Sequence, residues 1–234
     1  VSSTGHIGSL YAEGNIVGNI GANGNIDDVE AHVGSIQGNV SSMGTIYQVT
    51  ANGDIQGDVT AQGDIGRVRS WSGSINGKVT SSMGTIYQVL APLGSVLQEV
   101  TSTVGSVYQV LAGIDVAKEV SAQLDVWLVQ AGNDVLGKVT ATFGGISRVQ
   151  AGDDILDDIT AGLDVWGVDA EDSLTGDVKA NGGSIGTIDA SFIQSSTIQA
   201  SLDIGTVSAW QPQGLPGGDI TVASAPGKGS TFSV

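Results

Sequence analysis

Cysteine is absent from this chain, which excludes disulfide bonds and thiolate metal sites without fixing the compartment. Basic residues are almost as scarce: eight Lys plus Arg stand against 24 Asp plus Glu, a formal net charge of -16. So few cations cannot neutralise a phosphate backbone or hold an anionic bilayer surface, and neither nucleic acid nor a membrane is expected as a partner. No apolar run approaches the roughly 20 residues that a membrane-spanning helix needs. An initiator Met and a signal-like segment are also missing; the chain opens at Val1 directly in repeat sequence, which reads as a processed product or an excised piece of something longer.

What fills the chain is glycine, 36 residues of it, alternating with Ile and Val and without a collagen triplet. Gly, Val, Ile, Thr and Asp are poor helix formers, and this mixture points to strands joined by tight turns. The stretch SSMGTIYQV at 41–49 returns unchanged at 81–89, and a looser copy, STVGSVYQV, runs over 102–110. The chain is therefore built by iteration, and its length sets the number of repeats rather than the number of domains. Each unit of about ten residues reads Gly, a small polar residue, an Ile or Val, a second Ile or Val, then x-Ala. The two aliphatic positions lie four apart in units such as Ile55/Val59 and Ile75/Val79, and three apart in the intervening ones, such as Ile65/Val68 and Ile86/Val89. The true repeat is a pair of units, about 20 residues long.

Side chains two or four apart on a strand share a face, whereas a spacing of three requires a bend or bulge. The alternation predicts a coil with one straighter and one kinked side. Stacking such coils about 4.8 Å apart gives an all-β fold, a parallel β-solenoid of nine or ten coils between Ile7 and Ile188, on the order of 45 Å long. The small residue after each second aliphatic, Ala51 or Ala61 for example, suits a narrow interior. Gly followed by Asp, Asn or Ser is expected to make the turn, through positive φ and side-chain-to-backbone bonding. After Ala190 the rhythm degrades, and QPQGLPGG at 211–218 is the one Pro/Gly cluster. The expected division is a solenoid over 1–210 and a hinge with a strand-like tail over 211–234.

In register, Tyr87, Tyr108 and Trp127 form an exposed aromatic ladder on successive rungs, able to stack on a sugar, bury in a protein partner, or simply shield the strand edge. Asp115, Asp134 and Asp154 form a second column whose like charges invite Ca²⁺ or protonation, although Asp is also the ordinary turn residue there. These three are the candidate calcium ligands; no other cofactor is expected. The acidic block between Asp153 and Asp177 reads as a solvated face. A hydroxyl column, Ser41, Thr60, Thr80, Thr101, Ser121, Thr140 and Thr160, resembles the rows of ice-binding solenoids but lacks their paired Thr. Arg67 and Arg69 lie about four coils from Arg148, and His6 and His32 have no Ser or Cys partner at a recognisable motif, so no catalytic residue is assigned.

The run GDIQGDVTAQGDIGRV, from Gly53, resembles the repeats of bactofilins, bacterial cytoskeletal proteins whose β-helical cores polymerise end to end without nucleotide, and equally those of bacterial surface adhesins. The segment GGDITVASAPGKGSTFSV, from Gly217, is similar to the closing strands of sensor histidine kinase ATP-binding domains. The acidic and glycine boxes of that family are missing upstream, and no nucleotide site is assigned. The resemblances and the scaffold together imply a non-enzymatic structural protein, extracellular or at the cell surface, associating with itself head to tail. The alternatives are an adhesin or carbohydrate-binding module using the aromatic ladder, with a glycan or a surface protein as partner, and then a polysaccharide-degrading enzyme or an ice-binding protein.

Overall fold

A computed structural model describes residues 1–209, 221–223 and 231–233, and all its regular structure is β. The chain is a parallel β-solenoid of about ten coils, each about 20 residues. Six-residue strands such as Ile46–Ala51, Ile86–Ala91 and Val126–Ala131 pair into one twelve-stranded sheet, and three-residue strands such as Val59–Ala61 and Val100–Ser102 pair into another. Every pairing is parallel and joins a strand to the one a full coil away. A third ladder, one residue wide, links Ile16, Ile36, Ile55, Ile75, Val96, Val116, Val135, Ile155 and Leu174 through single parallel bridges. The coil thus has three walls.

The aliphatic spacings decide where those walls bend, though not as the simple strand rule has it. Residues three apart, Ile65 and Val68, occupy one continuous strand, and the next inward residue is Ser70. The odd spacing is absorbed at the second position, which drops out of the ladder: Ile86 pairs with Val107 and Gln88 with Gln109, while Tyr87 and Tyr108 between them do not pair. Residues four apart, Ile55 and Val59, do not form the straighter side expected. A corner separates them, leaving Ile55 on the bridge wall and Val59 on the short-strand wall. Both still point inward, because the corner turns them toward a common axis.

One hydrophobic cluster runs the length of the rod. Interior aliphatics from Ile26 to Val110 are completely buried, each stacked on its equivalent one rung away. Where the small inward residue is Ser instead of Ala, the hydroxyl is satisfied: Ser70, Ser81 and Ser102 donate to the carbonyls of Gly53, Gly63 and Gly84 at 2.7–2.8 Å. Buried polar groups without such partners would be costly in so dry a column.

The corner glycines have a different cause from the one their turn chemistry implies. None of Gly34, Gly53, Gly57, Gly73 and Gly77 lies in the left-handed region; each lies so close over the rung beneath that a Cβ would collide with it. At Gly57 and Gly77 the obstacle is the carbonyl oxygen of Gly38 and of Gly57. Glycine is required here by proximity.

The irregular end is built into the same stack. Val165–Leu174 and Ile185–Ile193 are long strands that run through one corner, and Leu174 and Ile193 pair where they meet. The pairing shifts between Ala170 and Ser173, where two residues stand against the single Ser191. The Pro/Gly cluster at 211–218 lies outside the described residues. Beyond it, Thr221–Ala223 and Thr231–Ser233 pair in parallel with Thr197–Ala200 and Ile204–Ala209, so the tail strands extend both sheets of their own chain.

Replacing Ile75 by Ala leaves a cavity in the dry column and is expected to cost about 2–5 kcal/mol, read from urea unfolding. Gly77→Ala should destabilise as well, although it adds apolar area, because the new methyl has no room. A stabilised Gly77→Ala protein would disprove the proximity account.

Candidate functional site

Three columns of small polar residues run along the three corners, and they hold the two acidic features singled out above. At the corner before the bridge wall, Asn15 Oδ1 accepts the amide of Ser35 at 2.8 Å, Ser35 Oγ that of Asp54, and Asp54 Oδ1 that of Ser74. The series continues through Ser74, Ser95 and Asp115. Asp115 then accepts from Asp134 at 3.3 Å, Asp134 from Asp154 at 3.0 Å, and Asp154 from Ser173 at 2.9 Å. Asn25, Asp64, Asp125 and Asp164 do the same at a second corner, and Asn19, Asn39, Asp58, Asp158 and Asp177 at the third. In each of these bonds a corner amide finds its acceptor on a side chain of the rung below; at the third corner the series is broken between Lys78 and Asp158, whose amide donates to Asp157 at 2.8 Å.

The candidate calcium column is therefore stacked as read from the sequence, with one oxygen of each carboxylate accepting the amide one rung on. The carboxylates whose ligand atoms converge are a different set, Asp153, Asp154 and Asp172, with oxygens within 4.8 Å of one another. Asp172 falls in the residue pair that shifts the register of the long strand, which is why repeat counting did not place it there. Partial dehydration and the neighbouring carboxylates, Asp154 first, raise the Asp153 pKa. At the third corner Asp177 behaves oppositely. The Lys179 ammonium, 2.6 Å from its Oδ2, and the amide of Thr197 hold its carboxyl below the ordinary value of 3.8.

On the long-strand wall the aromatic ladder is present. The rings of Tyr87 and Tyr108 stack with centroids 5.3 Å apart and 15° between planes, and those of Tyr108 and Trp127 at 5.6 Å and 5°. Tyr108 consequently has both π-faces covered by its neighbours. A free face remains only at the ends of the stack, on Tyr87 toward Gly66 and on Trp127 toward Ser147. Beyond those small residues stand Tyr47 and Trp166, 54% and 64% exposed. An open notch of about 100 Å³ lies between Trp127 and Trp166, lined also by Asp125 and Ser147.

Next to it on the same wall is a polar notch of about 280 Å³, lined by Arg148, Gly167, Asp169, Thr187, Asp189 and Thr206. Sequence separation set Arg148 apart from the other arginines, but the coil brings it beside Asp169 and Asp189, which pair one rung apart. Arg67 donates to Gln88 at 2.9 Å, and the Arg69 guanidinium lies 3.1 Å over the Trp71 ring. Among the described residues the side chains of Arg148, Asp169 and Asp189 make no hydrogen bond or ion pair. The available signal was the outward column Gln88, Gln109, Leu128, Arg148, Gly167, in which one long side chain is missing.

Ser41 to Thr160 form an in-register hydroxyl row on the short-strand wall. A three-residue strand has only one outward position, so no second row accompanies it. His6 Nε2 lies 2.9 Å from Asp27 Oδ2, and His32 Nδ1 lies 3.3 Å from Glu30 Oε1; both are exposed pairs.

Asp134→Ala removes a corner acceptor and should cost about 1 kcal/mol, whereas Asp134→Asn keeps the oxygen and should be close to neutral in urea unfolding. The acid limb gives a second measurement. Asp177, with its lowered pKa, contributes stability that is complete above pH 3.8 and lost as the pH falls toward its folded value, so Asp177→Asn should flatten that fall. Asp153, with its raised pKa, loses stability as the pH rises through the same region, and Asp153→Asn should gain stability at neutral pH. No protein-family model, curated protein or solved structure matches the chain.

Proposed function

We propose that the chain is a non-enzymatic structural rod, a subunit or segment of an extracellular or cell-surface fibre that lengthens by adding rungs to its ends. The observation that carries this reading is the stacking itself. Each rung offers the next a parallel backbone edge, side-chain acceptors at up to three corners and a set of aliphatic side chains in one register. The first coil offers the same pattern: Ile7 and Ile16 remain 9% exposed where their interior equivalents are fully buried, and Leu10 and Ala12 pack only partly against the cluster. A rung in the same register, from this chain or another copy, covers them. The resemblance of the repeats to those of bactofilins supports the same mode of growth, and the repeats' likeness to adhesins supports a surface location.

Charge favours the ends as the point of contact. A rod with net charge -16 repels a parallel neighbour along its sides, whereas end contact is made through backbone edges and aliphatic side chains. Electron microscopy of purified protein at high concentration should find coaxial filaments one rod wide at low salt, with bundling as salt is raised. Ile7→Lys with Leu10→Lys, which places charge on the exposed edge, should leave short rods. Wild-type protein that stays as single rods with both ends intact, or associates only side by side, overturns the proposal.

A further inference from the structure

We propose that the long-strand wall binds a neutral oligosaccharide, with one sugar ring seated between Trp127 and Trp166 above Ser147 and the adjoining sugar held by Arg148, Asp169 and Asp189. The flanking rings are two rungs apart, about 9.6 Å at the spacing of stacked strands. A flat aromatic guest at carbon contacts of about 3.5–4.0 Å on each side fills only about 7–8 Å, and a puckered pyranose chair, thicker by about an ångström or more with its axial groups, closes the remainder. Both indole faces are available. Trp127 uses only its other face, on Tyr108, and Trp166 is 64% exposed. The apolar C–H face of a sugar meets such a surface well, while its hydroxyls require partners at the rim.

Those partners stand in the adjoining notch. A guanidinium donor and two carboxylate acceptors surround one cavity of about 280 Å³, and none of them is engaged elsewhere among the described residues. Donor and acceptors together match vicinal hydroxyls, which both give and accept hydrogen bonds. The balance of one cation against two anions, on a chain of net charge -16, selects against uronates and sulfated glycans.

Gly167 is an independent sign that this notch is kept open. At other glycines stacked within the long-strand wall a side chain has no room: a Cβ at Gly66 would strike the carbonyl oxygen of Tyr47, one at Gly186 that of Trp166 and one at Gly205 that of Gly186, and only Gly8, in the first coil, is open. A Cβ at Gly167 meets nothing nearer than 3.7 Å, the Nε of Arg148, the carbonyl oxygen of Ser147 and Oγ1 of Thr187. The stack has room for a side chain there and carries Gln at the equivalent Gln88 and Gln109. Packing does not demand this glycine; an open floor does.

The test is titration of the full chain with neutral gluco-, manno- and xylo-hexaosaccharides and with polygalacturonate, followed by calorimetry and tryptophan fluorescence. At least one neutral oligosaccharide is expected to bind and to perturb the tryptophan emission, with polygalacturonate at least tenfold weaker. Trp166→Ala and Gly167→Gln should each weaken binding at least tenfold. Tyr47→Ala, at the far end of the aromatic column, should leave it unchanged, and all three variants should keep the wild-type circular dichroism. Absence of binding by every neutral oligosaccharide, equal or tighter binding of polygalacturonate, or wild-type affinity in folded Gly167→Gln overturns the proposal. None of these outcomes depends on whether the rods join end to end.

Discussion

Registration of each coil on the one before it is the constraint from which the rest of this molecule follows. A residue's surroundings are set mainly by its equivalents about 20 positions earlier and later, and only secondarily by its neighbours in sequence. The backbone contributes three parallel ladders, but those ladders stop at the corners, where the chain turns and amides would be left without acceptors. The Asn, Asp, Ser and Thr columns supply them. Glycine precedes many of these residues for a linked reason: it makes space for the polar side chain arriving from the rung below. The Gly-Asp and Gly-Ser dipeptides are thus one device, repeated at the corners along the rod.

Much of this was readable in the sequence because iteration repeats the same information ten times over. The 20-residue period, the parallel stacking, the inward Ile, Val and Ala columns and the register of Tyr87, Tyr108 and Trp127 all follow from equivalent residues returning to the same place. What the spacing rule could not deliver was the number of walls. Ile55 and Val59 lie an even number of residues apart, which satisfies a straight strand, yet a corner that turns through the axis also keeps both inward. The choice between the two rests on how closely Gly57 approaches Gly38, a contact between coils with no signature inside one repeat. The glycine φ values depart from the turn expectation for a related reason, since turn chemistry describes a chain bending alone and not one bending against a rung already in place.

The site was less legible than the fold. A ladder of rings suggests a platform when written as a column of letters, but stacked rings cover one another, and the interruptions at Gly66 and Ser147 are what leave faces exposed. Likewise Arg148, Asp169 and Asp189 are scattered over 42 positions of sequence and meet only because they fall on consecutive rungs of one wall. In a strictly regular solenoid every rung would be alike and no place on it special. Departures from the repeat, the missing side chain at Gly167 and the bulge that carries Asp172, are where a local surface can differ from the average one.

The corner bonds have a further property. In all of them the amide belongs to the later rung and the side-chain oxygen to the earlier one, with no reversal from Asn15 to Asp177. The rod therefore has a sense, like an arrow: at its corners side-chain oxygens serve the rung that follows, and amides draw on the rung that came before. Two rods joined with this bonding continued across the seam would have to point the same way, because the reverse joint sets amide against amide or oxygen against oxygen.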